Sequence, residues 1–343
     1  MATARESGTF DLILPFLAPI RHLIEDATVS EIMVVAGRRV FIERDGLVSP
    51  VPNITIDERQ LLTGIKIIAH SLGDEISDAK PILDSRLPDG SRVAAMLPPC
   101  SVDGITLTIR KFENWRITLE GLIETGFITV PGIEVLRDRI ARRQNILISG
   151  GTGTGKTTLL GILAGLIPDD DRIILIEDTA EIQLSKPNLV RFEARHAQPG
   201  AAPGHARHGE TPGNAWPGLP TVTIRDLVRA SLRHRPDRLI VGEIRGEEAY
   251  DLIQALNTGH SGSLSTIHAN SARQAFTRLA SCVLQSALDI PHRVLQGQIA
   301  DSIQVVVHLD RTAGKRRVAE MIELTGYEPE TDRHQVNVLY ARA

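Results

Sequence analysis

The run Gly150-Gly151-Thr152-Gly153-Thr154-Gly155-Lys156-Thr157 constrains this chain more than any other stretch. It fits G-x-x-x-x-G-K-[ST], follows the strand-like run Asn145 to Ser149, and leads into a helical pattern that begins near Lys156. Glycines let the main chain turn tightly, so that successive N–H groups and a helix N-terminus point at anionic oxygens. In such a loop Lys156 reaches the β and γ phosphates of a nucleotide, and the Thr157 hydroxyl holds Mg²⁺. The spacing therefore predicts a site for ATP with Mg²⁺.

The rest of the chain agrees with that frame. After Pro131, Ile133 to Arg143 reads as a helix, and β-rich runs recur at Ile173 to Ile176, Arg238 to Val241, Leu264 to His268 and Ile303 to Leu309, separated by helical segments. Such alternation predicts a mostly parallel sheet covered by helices, over residues 131–343. Residues 1–115 read as a separate α/β domain. Glu31 to Val48 holds two short strands about Ala36-Gly37, with a turn at Asp45-Gly46. Leu61, Leu62, Ile65, Ile68, Ala69 and Leu72 fall at helical spacing after a cap at Thr55 or Asp57, and strands return at Arg92 to Leu97 and Ile105 to Phe112. Residues 116–130, with a short helix from Thr118 to Gly126, are expected to link the two domains.

A length of 343 residues suits two cores, since single cores stop growing near roughly 250–300 residues. The formal net charge of -4 lacks the basic excess that binding nucleic acid through its phosphates requires, and no sequence-specific nucleic-acid contact is expected. Cys100 and Cys282 stand far apart, outside any zinc or redox spacing, which fits a reduced cytosolic compartment. The apolar run Phe10 to Ile24 is interrupted by Pro15, Pro19, Arg21 and His22, is too short for a membrane span, and lacks the pattern of a signal peptide. It reads as a packed helix, with peripheral membrane contact as the alternative. Between His196 and Pro220, ten of twenty-five residues are Gly or Pro, so 196–220 is expected to be a solvated insertion.

Hydrolysis also needs a carboxylate that can orient water. Two candidates end apolar runs: Glu177-Asp178 after Ile173 to Ile176, and Glu243 after Leu239 to Gly242. Ligands in open α/β sheets gather at that edge, although acids after strands also serve as helix caps. Thr223 and Asp226 can form a capping box on a helix to His234, whose Arg225, Arg229 and Arg233 repeat every fourth residue. Those arginines suit a phosphate, a neighbouring subunit's acids or a solvated face. His260 and His268 bracket a run of small residues and suggest a sensor of the γ-phosphate.

Four blocks carry a resemblance to a known family: GGTGTGKTT at 150–158, ending in Thr158; ILIEDTAEI at 174–182; RPDRLIVGEIRG at 235–246; and TGHSGSLSTIHANS at 258–271. In order and spacing they resemble the phosphate loop, aspartate box, degenerate Walker B motif and histidine box of the type II/IV secretion ATPase superfamily. LDSRLPDGSRVAAMLPP at 83–99 and LTIRKF at 107–112 look most like the CpaF/TadA motors of Flp/Tad pili and TrbB-like conjugation relatives. The resemblance implies an α/β N-terminal domain, a RecA-like ATPase domain, and a cytoplasmic homo-hexamer docked on inner-membrane components of a secretion, conjugation or pilus machine. It implies that Arg92 and Arg110 neutralise phosphate charge, that Glu243, with Glu177 or Asp178, orients water and holds Mg²⁺ with Thr157, and that His268 and His260 report on the γ-phosphate. A nucleic-acid translocase is the rival, disfavoured by the acidic balance and the 3% aromatic content. A nucleotide-gated scaffold with negligible turnover is a third reading, which the two acids oppose.

Overall fold

The computed structural model describes residues 15–44, 46–87, 89–111, 118–195, 220–286, 288–312 and 314–342, so the expected insertion at 196–220 lies almost wholly outside the described residues. The chain divides into two compact units, Met1–Trp115 with Arg195–Pro220, and Arg116–Ala194 with Thr221–Ala343.

In the first unit a 3-10 turn at Ala18–Ile20 runs into helix α1 (Arg21–Glu25). Leu17, Ile20, Leu23 and Ile24 are buried, so the described part of the N-terminal apolar run packs into the core. Three strands follow where two were expected: β1 (Glu31–Val35), β2 (Arg39–Arg44) and β3 (Leu47–Val51), the last returning on β2. Helix α2 (Glu58–Ser71) begins at Asp57, whose Oδ1 accepts from the N–H groups of Arg59 and Gln60 at 3.0 and 3.1 Å. It satisfies two of the donors that a helix start leaves open. Strands β4 (Ile82–Arg86), β5 (Arg92–Met96) and β6 (Thr106–Arg110) complete a six-stranded sheet in the order β3-β2-β1-β6-β5-β4, antiparallel throughout. Ile32, Val34, Val93, Ala95, Leu107 and Ile109 alternate along their strands and meet Leu61, Ile65 and Ile68 of α2 in one core. That is the period-two pattern of a sheet with one buried face.

The second unit starts with α3 (Leu119–Glu124), capped by the Thr118 hydroxyl. Within the stretch expected as a linker, Leu122, Phe127 and Ile128 are core residues. Then come α4 (Val130–Ala141), β7 (Ile146–Gly150), α5 (Lys156–Gly165), β8 (Ile173–Glu177), β9 (Leu189–Glu193), α6 (Ile224–Ser231) and β10 (Arg238–Ile244). The chain continues with α7 (Glu248–Asn257), β11 (Leu264–His268), α8 (Ala272–Leu284), α9 (His292–Ser302), β12 (Val305–Thr312), β13 (Lys315–Glu328) and β14 (Arg333–Ala341). The sheet order is β14-β13-β12-β7-β11-β10-β8-β9. Pairings from β12 to β9 are parallel, while β13 and β14 add an antiparallel hairpin.

Both faces of this sheet are covered, which is why β7 and β8 are apolar runs buried from end to end. Ile146, Ile148, Ile173 and Leu175 face Leu136 of α4 and Leu160 and Leu163 of α5. Leu147, Ile174 and Ile176 face the other core, with Val228 of α6, Leu252 of α7 and Phe276 of α8. Parallel pairing puts the C-terminal ends of β7, β11, β10 and β8 side by side at one edge, where the loops that follow them meet.

Candidate active site

At that edge β7 ends in Gly150 and the chain turns through Gly151, Thr152 and Gly153, all solvent-facing, before Thr154 is buried again. The Thr154 hydroxyl donates to the carbonyl of Gly151 at 2.9 Å and closes the loop on itself. Gly155 caps α5 with φ +94°, a left-handed conformation that a side chain strongly disfavours, and the ring of Phe127 covers it where a Cβ would stand, 3.1 Å away. Lys156 therefore occupies the first turn of α5, with Thr157 and Thr158 partly buried behind it. Its ammonium donates to the carbonyls of Gly150 and Gly151 at 3.1 and 2.8 Å. Burial lowers the Lys156 pKa, Glu243 opposes that shift and Arg245 adds to it.

The strand neighbours bring their own groups. In the β7–β11 register His268 stands opposite Gly150, and its Nδ1 lies 3.5 Å from Lys156 Nζ. His268 Nε2 lies 2.6 Å from Oε1 of Glu243, at the end of the next strand. Desolvation lowers the imidazole pKa, and Lys156 lowers it further. The β10–β11 register slips between Val241 and Ile244, a bulge of the kind that re-aims a side chain at a sheet edge. The hydroxyl of Thr266, from β11, donates to the carbonyl of Gly242 at 2.7 Å and pins the bulge. Glu243 Oε2 accepts from Arg245 at 2.7 Å, whereas buried Oε1 has no donor in hydrogen-bonding alignment.

The two acids after β8 separate. Glu177 is buried, and its Oε1 accepts from the N–H groups of Glu181 and Ile182, both at 2.8 Å. Desolvation raises its pKa against those hydrogen bonds. Glu177 thus caps the turn that follows its strand. Asp178 Oδ2 instead takes Arg245 NH1 at 3.2 Å, beside Glu243.

His260 lies at the other end of the strand from His268. It precedes the N-terminal end of β11, whereas the phosphate loop follows the C-terminal end of the parallel neighbour β7, and its Nδ1 lies 3.0 Å from the Ala255 carbonyl of α7. Only His268 stands at the site. The expected capping box is present, with the Thr223 hydroxyl on the Asp226 N–H and the Asp226 carboxylate on the Thr223 N–H. Arg225 and Arg229 both hold Asp251 of α7 at 2.7 Å, and Arg225 also holds Glu247, so these two arginines bind acids of their own chain. Arg92 and Arg110 lie directly opposite one another on β5 and β6, away from the buried face, and Glu31 of β1 is opposite Arg110. Arg245 and Thr266 were not singled out from the sequence, although both sit inside the recognised blocks.

A glycine-rich loop between β7 and α5, with a lysine at the start of the helix and a histidine and a glutamate from two adjacent parallel strands beside it, defines an α/β protein of the RecA-like P-loop class. The type II/IV secretion system protein family matches residues 16–336, and the chain belongs to that family. It is 35% identical over 309 residues to the conjugal transfer protein TrbB of Rhizobium radiobacter, covering 89% of this chain and 86% of that one. It is 30% identical to the type IV secretion system protein VirB11 of Bartonella quintana, covering 91% and 93%. The solved ATPase DotB of Legionella pneumophila shares the fold, with a TM-score of 0.61 at 21% identity over 90% of this chain and 80% of that one. Among the described residues no helix is long and apolar enough to cross a membrane.

Proposed function

We propose that this chain binds and hydrolyses ATP and that the reaction drives a bacterial secretion, conjugation or pilus-assembly machine. The observation that carries the reading is the convergence on one loop of Lys156, His268 and Glu243, with Glu243 Oε1 buried and lacking an aligned donor. A triphosphate fits here. The loop N–H groups and the start of α5 supply the anion-binding surface, and Lys156, bonded to loop carbonyls, exchanges them for phosphate oxygens. Thr157 and Glu243 are the residues that would hold Mg²⁺, which when bound would neutralise charge on the phosphates.

Glu243 then accepts the proton of the attacking water at Oε1, the oxygen that Arg245 leaves open. His268 senses the γ-phosphate in this reading, a role that its place between Lys156 and Glu243 supports. For Arg92 and Arg110, which stand on the adjacent strands β5 and β6, the phosphate-neutralising role proposed is the one that the family resemblance implies. The relatives' names point to conjugal transfer or type IV secretion as the process served, and a homo-hexamer on inner-membrane components is the assembly proposed.

Steady-state ATPase assays on the full chain test the reading. Lys156→Ala is expected to abolish turnover and weaken MgATP binding, and a Lys156→Ala protein with full activity would sink it.

A further inference from the structure

Arg245 joins two strand ends that carry acids. Its guanidinium donates to Glu243 Oε2 at 2.7 Å and to Asp178 Oδ2 at 3.2 Å, so one planar group spans the C-terminal ends of β10 and β8. The root of the side chain is fixed as well. Buried Glu248, in the first turn of α7, accepts from the N–H groups of Arg245 and Gly246 at 2.6 and 2.9 Å. The bend after β10 therefore holds Arg245 with its head turned back over the acids. An exposed arginine serving only solubility has no need of such an anchor.

We infer that Arg245 is a positioning residue for hydrolysis: it occupies Glu243 Oε2, fixes the carboxylate plane so that Oε1 alone faces the phosphate loop, and locks that plane to Asp178. The inference rests on the hydrolytic reading above. A carboxylate without this partner can rotate about its terminal bond and present either oxygen, and a misplacement of about 1 Å at a reacting group costs roughly 100-fold in rate. The guanidinium fork suits the task because its donors leave in fixed directions, toward two different acids at once. A lysine supplies the charge without the fork.

The test is a kinetic cycle on the full chain with Arg245→Ala, Arg245→Lys, Asp178→Asn and the Arg245→Ala/Asp178→Asn double variant. Arg245→Ala should lower kcat by about 10- to 100-fold. Its KM for MgATP should stay within about threefold, the signature of an interaction that matters in the transition state and little in binding. Arg245→Lys should recover part of kcat, and the double variant should be no worse than Arg245→Ala, because Asp178 acts through the arginine. Thermal melting monitors folding; should Arg245→Ala not fold, Arg245→Met keeps an unbranched stem without the donors and takes its place in the cycle. A kcat within about twofold of wild type for the truncated variant overturns the inference, as do losses that simply multiply in the double variant. A wild-type chain without turnover overturns this inference and the hydrolytic reading together. If wild type turns over, Glu243→Gln is inactive and Arg245→Ala is unimpaired, the positioning role alone falls.

Discussion

Arg238 Nε donates to Asp171 Oδ2 at 2.7 Å in a pair almost shut off from water, Arg238 being 2% exposed. The same guanidinium donates to the carbonyls of Ile140 and Gly262, both at 3.2 Å, and Arg143 holds the other Asp171 oxygen at 3.0 Å. One buried charge thus ties the start of β10 to the end of α4 and to the loop before β11. Removing one partner of such a pair leaves the other charged and dry, at a cost of about 3–5 kcal/mol. Asp171→Ala should lose stability on that scale in urea denaturation. A loss below about 1 kcal/mol would show that water reaches the pair.

Gly262 belongs to the same construction. A Cβ at this residue would stand 1.9 Å from Arg238 NH1 and 3.1 Å from Arg143 Cα, and its φ of +80° adds backbone strain. The glycine in the histidine box therefore makes room for the arginine. Gly262→Ala should lower the melting temperature, and its added cost should shrink in an Arg238→Met background, where the clash is relieved. Equal costs in both backgrounds would assign the whole effect to the backbone angle.

Glu243→Gln keeps the shape of the side chain and removes its basicity. Nucleotide affinity by calorimetry should stay near that of wild type, while turnover falls by about 10²–10⁴-fold, the span of a lost general base. Loss of binding with turnover scaled to occupancy would count against the water-orienting role and favour one in holding Mg²⁺ alone.

The imidazole of His268 is held below the ordinary histidine pKa by desolvation first, then by Lys156, with Glu243 pulling the other way and Arg245 and Arg278 adding smaller downward pushes. Removing the positive neighbour relieves repulsion of the imidazolium, so Lys156→Met should raise the His268 midpoint in a proton NMR titration. Removing the carboxylate should lower it, in Glu243→Gln. A midpoint indifferent to both changes would separate His268 from the site electrostatically.

The phosphate loop and the acids at strand ends were legible because each is a local pattern: a glycine spacing between an apolar run and a helix, and acids closing runs that need burial on both faces. The capping box was legible for the same reason. What could not be read was how the two acids after β8 part, Glu177 toward the N–H groups of Glu181 and Ile182 and Asp178 toward Arg245. The two ends of a strand look alike in sequence, and only the parallel pairing of β7 with β11 sets His268, and not His260, beside the loop. Strands β9 and β14 are hard to read because they carry no buried residue, and β13 because its four, Val318, Met321, Ile322 and Leu324, are spread among polar positions over a long strand.

Behind the phosphate loop, Ser149 Oγ lies 3.0 Å from His308 Nδ1, the two residues standing opposite on β7 and β12. Burial pushes the His308 pKa below the ordinary histidine value, and Glu320 and Asp310 offset this only in part. His268 and His334 shift the same way, each with desolvation as the leading cause. A histidine depressed in the folded state binds fewer protons there than in the unfolded chain, over the interval between its two pKa values. Its contribution to stability is therefore full above the unfolded value and is lost as pH falls through the folded one. Protonating His308 in place would set a cation directly beneath the loop that Gly150 begins, in a site with little water to screen it. Denaturation curves from about pH 8 to about pH 5 should show stability falling on the acid side. His308→Asn keeps a hydrogen-bonding partner for the Ser149 hydroxyl and cannot titrate, so its curve should be flatter than that of wild type. An unchanged slope would mean that the acid sensitivity of the fold arises elsewhere.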